Sequence, residues 1–183
     1  GTPNMTTGSV MFNASMPINN VEVYSFGNLT YRKGQSYALY RVPYWIPDPH
    51  NIFHAAGTEY GGFQPTFETD IFDNTIAFGA KGETNGWKFD ISNISGSNTV
   101  DYGIGNTINP ALGADSPTNF NAGGYEFRSN VTNVDLGRQF GALTFLMGTE
   151  FRTENFVANA GEEASYVEGG AQSFPGLQPQ NEV

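Results

Sequence analysis

The chain has 183 residues, enough for a single domain. Its formal charge of −10 argues against a basic nucleic-acid-binding surface, and the absence of cysteine excludes disulfides, thiolate metal sites and a cysteine nucleophile. Aromatic residues make up 14% of the chain and glycine is frequent, a composition typical of β structure with many turns. No uninterrupted apolar run reaches the length of a membrane-spanning helix.

Period-two alternation of apolar and polar residues predicts six strands, each about ten residues long. In chain order they cover residues 9–16, 21–33, 70–81, 87–95, 125–136 and 143–152. Short polar turns join them in pairs, at Pro17–Asn20, Gly82–Gly86 and Gly137–Gly141. Long irregular segments follow each pair, at 34–69, 98–123 and 154–183.

Two of the predicted strands do not keep one alternation throughout. In the second, Tyr24 and Phe26 are opposite in phase to Val21 and Val23, so the pattern is blurred. In the fifth, Phe127 and Val131 share one side while Val134 and Leu136 share the other. A β-bulge or a change of register is one explanation, and a wrong strand assignment is another.

Hairpins with short turns at one end and long loops at the other are typical of outer-membrane β-barrels. Aromatic residues near strand ends, such as Tyr31, Trp87 and Phe151, are what an interfacial girdle needs. The predicted fold is therefore all-β, with antiparallel up-and-down hairpins forming part of a transmembrane barrel. A soluble β-sandwich has the same alternation and remains the alternative. The apolar residues expected to face lipid are Phe72, Ile76, Phe78, Trp87, Phe89, Ile91, Leu143, Phe145, Met147 and Phe151.

Several segments resemble the barrel region of TonB-dependent outer-membrane receptors. The stretch NPALGADSPTNFNAGG is similar to a loop of that family through Asn109, Leu112, Gly113, Ser116, Pro117, Thr118, Phe120 and Gly123. The segment LTFLMGTEFRTENF, which contains the sixth predicted strand, looks like a strand of that family ending in G-x-E-x-R-x-E, matched by Gly148, Glu150, Arg152 and Glu154. The tail resembles G-A-Q-x-F-P-G-F-x-P through Gly170, Ala171, Gln172, Phe174, Pro175, Gly176 and Pro179. GETNGWKFDIS looks like a periplasmic turn and strand, anchored by Gly86, Trp87 and Asp90.

The resemblance implies a 22-stranded barrel with a plug domain and a TonB box, of which these residues supply about a quarter of the barrel and neither of the other parts. It implies a wall and loop segment of a receptor in the outer membrane of a Gram-negative bacterium, importing a scarce nutrient such as a siderophore or carbohydrate. The implied partners are the remaining strands and plug of the parent chain and outer-membrane lipid, with TonB engaged only through parts outside these residues. The alternatives are a secreted β-sandwich for adhesion or carbohydrate binding, and a receptor-derived fragment with a structural role in a larger assembly.

The first long segment carries the residues expected to contact a ligand. They are Tyr37, Tyr40, Tyr44, Trp45, His50, Phe53 and His54. Aromatic side chains on a loop can stack on sugars, siderophores or peptides, or can pack the loop against its neighbours. His50 and His54 are four residues apart, but no HExxH motif is present, and no metal, cofactor or catalytic activity is expected.

Overall fold

The computed structural model describes residues 2–168, which form one six-stranded antiparallel sheet in the order β1-β2-β3-β4-β5-β6. The strands are β1 (Asn4–Ile18), β2 (Val21–Tyr37), β3 (Thr66–Thr84), β4 (Trp87–Gly105), β5 (Asn119–Phe140) and β6 (Leu143–Asn159). Each strand pairs with its neighbours in sequence, so the predicted all-β, up-and-down arrangement is confirmed. The sheet is open, and β1 and β6 are its two edges.

Two-residue turns close the three hairpins at one end of the sheet, here called the turn end. They are Asn19–Asn20, Asn85–Gly86 and Gly141–Ala142, shorter than predicted because the neighbouring residues continue the ladders. Asn85 and Gly86 both have positive φ (51° and 75°), as a type I′ turn requires. This turn suits the right-handed twist of the strands it joins, which keeps the hairpin in register.

The opposite end, here called the loop end, carries the segments 38–65 and 106–118 and the chain from residue 160 onward. The predicted irregular segments were too long at both ends: residues 34–37, 66–69, 98–105, 119–123 and 154–159 belong to strands. The aromatic residues of these strand ends, such as Tyr102 and Phe156, alternate in the opposite phase to the predicted strands, and several other ends are polar and lack hydrophobic alternation. Cross-strand polar contacts hold them instead, such as Gln35 Nε2 donating to Glu68 Oε1 at 3.2 Å. Residues 169–183, including the matched tail motif, lie outside the described part.

The pairing register divides the side chains into two faces. The convex face carries the even residues of β1, of β3 and of β5 from Gly124 onward, together with the odd residues of β2, β4 and β6. The concave face carries the others. It lines a hollow of about 1350 Å³ at the turn end, and the lining includes Glu22, Lys81, Asp90 and Asp135. The hollow identifies the direction in which the sheet curves.

Apolar residues change face half-way along β3, β4 and β5. In β4, Phe89 and Ile91 lie on the convex face, whereas Val100, nearer the loop end, lies on the concave face. In β2, Phe26 lies on the concave face between convex Val23 and Leu29. In β5, Leu136 is convex and Phe127 concave, although the ladder between them is continuous. The suggestion that a bulge explains the mixed pattern of the fifth predicted strand is therefore wrong. The register shift between β4 and β5 lies instead at Asp101–Gly103, near the loop end.

Candidate functional site

The convex face of the turn half is an apolar surface, here called the convex band. Its larger members are Val10, Phe12, Met16, Ile18, Val21, Val23, Leu29, Tyr31, Phe72, Ile76, Phe78, Trp87, Phe89, Ile91, Val134, Leu136, Phe140, Leu143, Phe145, Met147 and Phe151. All ten residues that the sequence suggested would face lipid lie on it. Phe78 is 56% exposed and Phe151 70%, so the band is not covered by other described residues.

Aromatic residues border the convex band at both ends. At the turn end, the ring of Trp87 makes edge contacts with Phe140 and Phe145, at centroid distances of 6.2 and 6.3 Å. Toward the loop end, Tyr31 lies directly opposite Phe72, and its hydroxyl donates to Asp70. The ring of Tyr31 therefore meets the band while its hydroxyl meets the polar half of the same face, the arrangement favoured where apolar and aqueous surroundings adjoin.

Polar side chains adjoin the convex band on the same face, and Asn93 lies directly opposite Phe78. Asn93 and Asn130 donate to each other's amide oxygens at 3.0 and 3.1 Å, and Asn93 also donates to Thr132 Oγ1 at 2.9 Å. Asn74 on β3 donates to Ser97 Oγ on β4. These side chains satisfy one another across the sheet, which lowers the cost of placing them beside an apolar surface.

The concave face has the reverse distribution. Its turn half is charged: Lys81 lies 3.6 Å from Glu22, and the hydroxyl of Tyr24 donates to Asp90 at 2.7 Å. Farther toward the loop end on the same face, Arg152 on β6 pairs with Glu150 at 3.0 Å and also contacts Glu154. Of these residues, Glu22, Lys81 and Asp90 line the hollow, so its wall is polar.

The loop half of the concave face carries a row of aromatic rings across three strands. Tyr125 stacks on Phe156, with centroids 5.7 Å apart, and contacts Tyr102 at 6.3 Å. Next to them Val100 and Phe120 are almost fully buried, at 4% and 7% exposure. The sequence did not single out this row because Tyr102 and Phe156 fell within segments predicted to be irregular.

The segment 38–65 is organised around the buried carboxylate of Asp48. Asp48 accepts hydrogen bonds from the backbone N–H groups of Ile52 (2.8 Å) and Phe53 (2.6 Å), and its Oδ2 lies 2.8 Å from Nδ1 of His54. Burial raises the pKa of Asp48, but these hydrogen bonds outweigh it, so the pKa lies below its usual value. Two of the predicted ligand residues therefore build the loop itself: His54 binds Asp48, and Phe53 stacks on Phe63 at 4.2 Å.

The other predicted ligand residues are more accessible. Tyr44 is 75% exposed and lies edge-on to Trp45, which is itself exposed. His50 is exposed and four residues from His54, which is engaged with Asp48. Tyr37 ends β2, and the hydroxyl of Tyr40 donates to Gly61 O at 2.6 Å. Within residues 2–168, no three metal-ligating side chains are grouped to hold a metal ion.

A single side chain ties the second and third connections together. The amide of Asn109 donates to the carbonyls of Ala164 and Val167, both at 3.0 Å, and its oxygen accepts from Ala111 N at 3.1 Å. Its backbone N–H donates to Ser116 Oγ at 2.8 Å. Asn109 and Ser116 belong to the loop motif noted in the sequence, and the structure gives both a role in shaping the loop end.

Comparison with known proteins adds no relative: no protein-family model, curated protein or solved structure matches the chain. Both helices of residues 2–168 are short 3₁₀ turns, and neither has the length and apolar character needed to cross a membrane. The geometry of the sheet and its loops therefore carries the functional argument.

Proposed function

We propose that the chain is a wall and loop segment of a TonB-dependent receptor barrel in the outer membrane of a Gram-negative bacterium. The convex band is the observation that carries this proposal. From Val21 to Tyr31 it extends ten steps of about 3.4 Å along β2, roughly 24 Å of height for a strand tilted by about 45°. An outward apolar band of about 25 Å between aromatic girdles is characteristic of such barrels.

The curvature supports the same assignment. The apolar surface is on the outside of the curve and the charged surface on the inside, as expected for lipid around a wet lumen. In a soluble sandwich the apolar side packs on a second sheet. Residues 2–168 contain one sheet, and the convex band lies open.

The edges supply a further argument. All residues of β1 and β6 are exposed, and each strand has a ladder on one side only. Unpaired backbone groups cost several kcal/mol each in lipid, so the proposed barrel requires further strands of the parent chain on both sides. The plug of the parent would lie against the concave wall, and TonB would be reached through parts outside these residues.

In this role the segment is not an enzyme. It supplies wall and part of the mouth of an importer of a scarce nutrient, with the exposed aromatics Tyr44 and Trp45 and the concave row of Tyr102, Tyr125 and Phe156 available to ring-shaped or planar ligands. A siderophore and a carbohydrate both fit this description.

The proposal is tested by producing residues 1–183 alone and, separately, the full-length natural chain. The isolated piece should elute from size exclusion as an aggregate in detergent-free buffer, because the convex band and both edges are bare. The full-length chain should fold into lipid vesicles and show heat-modifiable electrophoretic mobility. A monomeric isolated piece that melts cooperatively in water would contradict the proposal and favour the secreted module.

A further inference from the structure

Arg138 is the only charged residue in the convex band. It lies two residues before the end of β5, on the rim that faces the turn end. Its direct cross-strand neighbours are Trp87 on β4 and Phe145 on β6, and Phe140 follows it on the same face. A charge in this position is costly unless it reaches a polar partner at the membrane boundary.

Aromatic rings hold the guanidinium group. Its central carbon lies 5.4 Å from the ring centroid of Trp87 and 4.9 Å from that of Phe140, within the range of cation–π attraction. Trp87 in turn contacts Phe140 and Phe145 edge-on. The rings restrain the side chain, whereas the N–H groups in the guanidinium plane stay available to an acceptor.

No protein carboxylate neutralises this group within residues 2–168. Arg32, Arg128 and Arg152 each have a carboxylate oxygen within ion-pair distance. Arg138 has none there, and no side-chain hydrogen bond from it is found in the same residues. The convex band carries no acidic residue either, so an anion for Arg138 has to come from outside the sheet.

We propose that Arg138 binds the phosphate of a phospholipid headgroup at the turn-side boundary of the membrane. The guanidinium fork matches phosphate oxygens, and the rings of Trp87 and Phe140 provide an apolar floor for the glycerol and upper acyl chains. A membrane lipid fits better than free phosphate, because the site adjoins the convex band, which acyl chains can cover and a soluble anion cannot. This inference rests on the proposed function.

The test uses the full-length chain purified in mild detergent, with native mass spectrometry to measure retained lipid. The probes are phosphatidylglycerol and a phosphate-free glycolipid with the same acyl chains. The wild type should retain phosphatidylglycerol about tenfold more strongly, the factor expected for a charge-assisted hydrogen-bonded pair. Arg138→Gln should remove that preference, and Arg138→Lys should restore part of it, since it keeps the charge but not the fork.

Arg128→Gln is the matched control, because Arg128 lies on the same face and strand but outside the band and beside Glu126. It should leave the preference unchanged. Equal retention of both lipids by the wild type, or full preference in Arg138→Gln, would overturn the inference. So would displacement of phosphatidylglycerol by inorganic phosphate, which would indicate a site for soluble anions.

Heat-modifiable mobility separates failure of this inference from failure of the proposed function. A chain that folds into vesicles but shows no phosphate preference overturns the role of Arg138 alone. A full-length chain that stays soluble and ignores vesicles overturns both.

Discussion

The turn half and the loop half of the sheet use their apolar residues in opposite ways. In the turn half these residues are on the convex face and remain open, as Phe78 does at 56% exposure. In the loop half they are on the concave face, where Val100 is only 4% exposed. The other face of each half is mainly polar, although Leu146 lies on the concave face of the turn half.

The two halves therefore differ in what can stabilise them. The loop half buries apolar surface within its own residues, so part of its hydrophobic stabilisation is already present. The turn half gains little from its own packing, because its band has no described partner. Under the proposed function, surrounding lipid supplies the missing apolar contact, and substitutions in the two halves should respond differently to lipid.

The largest effect is expected for Phe78→Arg in the full-length chain. A charge near the middle of the proposed band should weaken folding into lipid by about 2–4 kcal/mol. Phe145→Arg, close to the turn-side rim, should cost only about 0–1 kcal/mol. Denaturant titration in vesicles measures both.

Thr99→Arg is the control for this comparison, since Thr99 is on the same face in the polar half. Its effect should stay within about 0.5 kcal/mol, as for most surface substitutions. Equal effects of Phe78→Arg and Thr99→Arg would remove the distinction between the two halves.

Replacing a glycine by alanine should also cost different amounts of stability at the two ends of the sheet. Gly123, at the register shift, has a φ of 85°, and an added Cβ would lie 2.3 Å from Asn159 O. Gly123→Ala should destabilise the fold by about 2–3 kcal/mol, because it combines strain with a backbone clash. Gly141, at the turn end, has a φ of 60° but open space around it, so Gly141→Ala should cost about 1 kcal/mol. Equal melting shifts for the two variants would contradict this.

A smaller and local effect is expected for Asn109→Ala. It removes the hydrogen bonds to Ala164 O and Val167 O, and should lower the local opening free energy by about 1–2 kcal/mol. Hydrogen exchange should quicken in 106–118 and 160–168 together. Asn119→Ala, which removes an exposed amide, is the control. Faster exchange in only one of the two segments would show that Asn109 does not couple them.

The smallest effect is expected when the pH is lowered, and it should be confined to the segment 38–65. The pKa of Asp48 is lowered in the folded state from its ordinary 3.8, so its carboxylate stabilises the loop fully above that pH. The contribution should be lost progressively as pH falls from about 4 through the lowered pKa. Proteolysis of 38–65 by an acid-active protease should rise over that window. Asp48→Asn should be cleaved readily at all pH values, and a wild-type loop insensitive to acid would exclude this role of Asp48.

The sequence predicted the elements that hydrophobic alternation marks. Each of the six predicted strands lies within an observed strand, and the antiparallel order is as predicted. The strand ends were missed because residues such as Gln35 and Asn98 are polar, and because Tyr102 and Phe156 alternate in the opposite phase to the predicted strands. The mixed phase of β5 was a correct observation with a wrong explanation, since its apolar residues change face without a change of register.

The candidate sites were predicted less completely. The ten convex residues could be grouped because alternation reports face directly. The separate roles of His54 and Tyr44 could not be predicted, because in the sequence both are aromatic residues of one loop. Only the structure shows that His54 is bound to Asp48 and that Tyr44 is exposed. The proposed role of Arg138 could not be predicted from the sequence, because it depends on neighbours in β4 and β6 that only strand pairing brings close to it.

The change of face half-way along β3, β4 and β5 has a consequence for how these strands find their alignment. Sliding one strand by a single residue would place apolar side chains among charges in the turn half and polar side chains among aromatics in the loop half. A wrong register is therefore destabilised independently at both ends of the sheet. A strand that is only partly paired already favours the correct register.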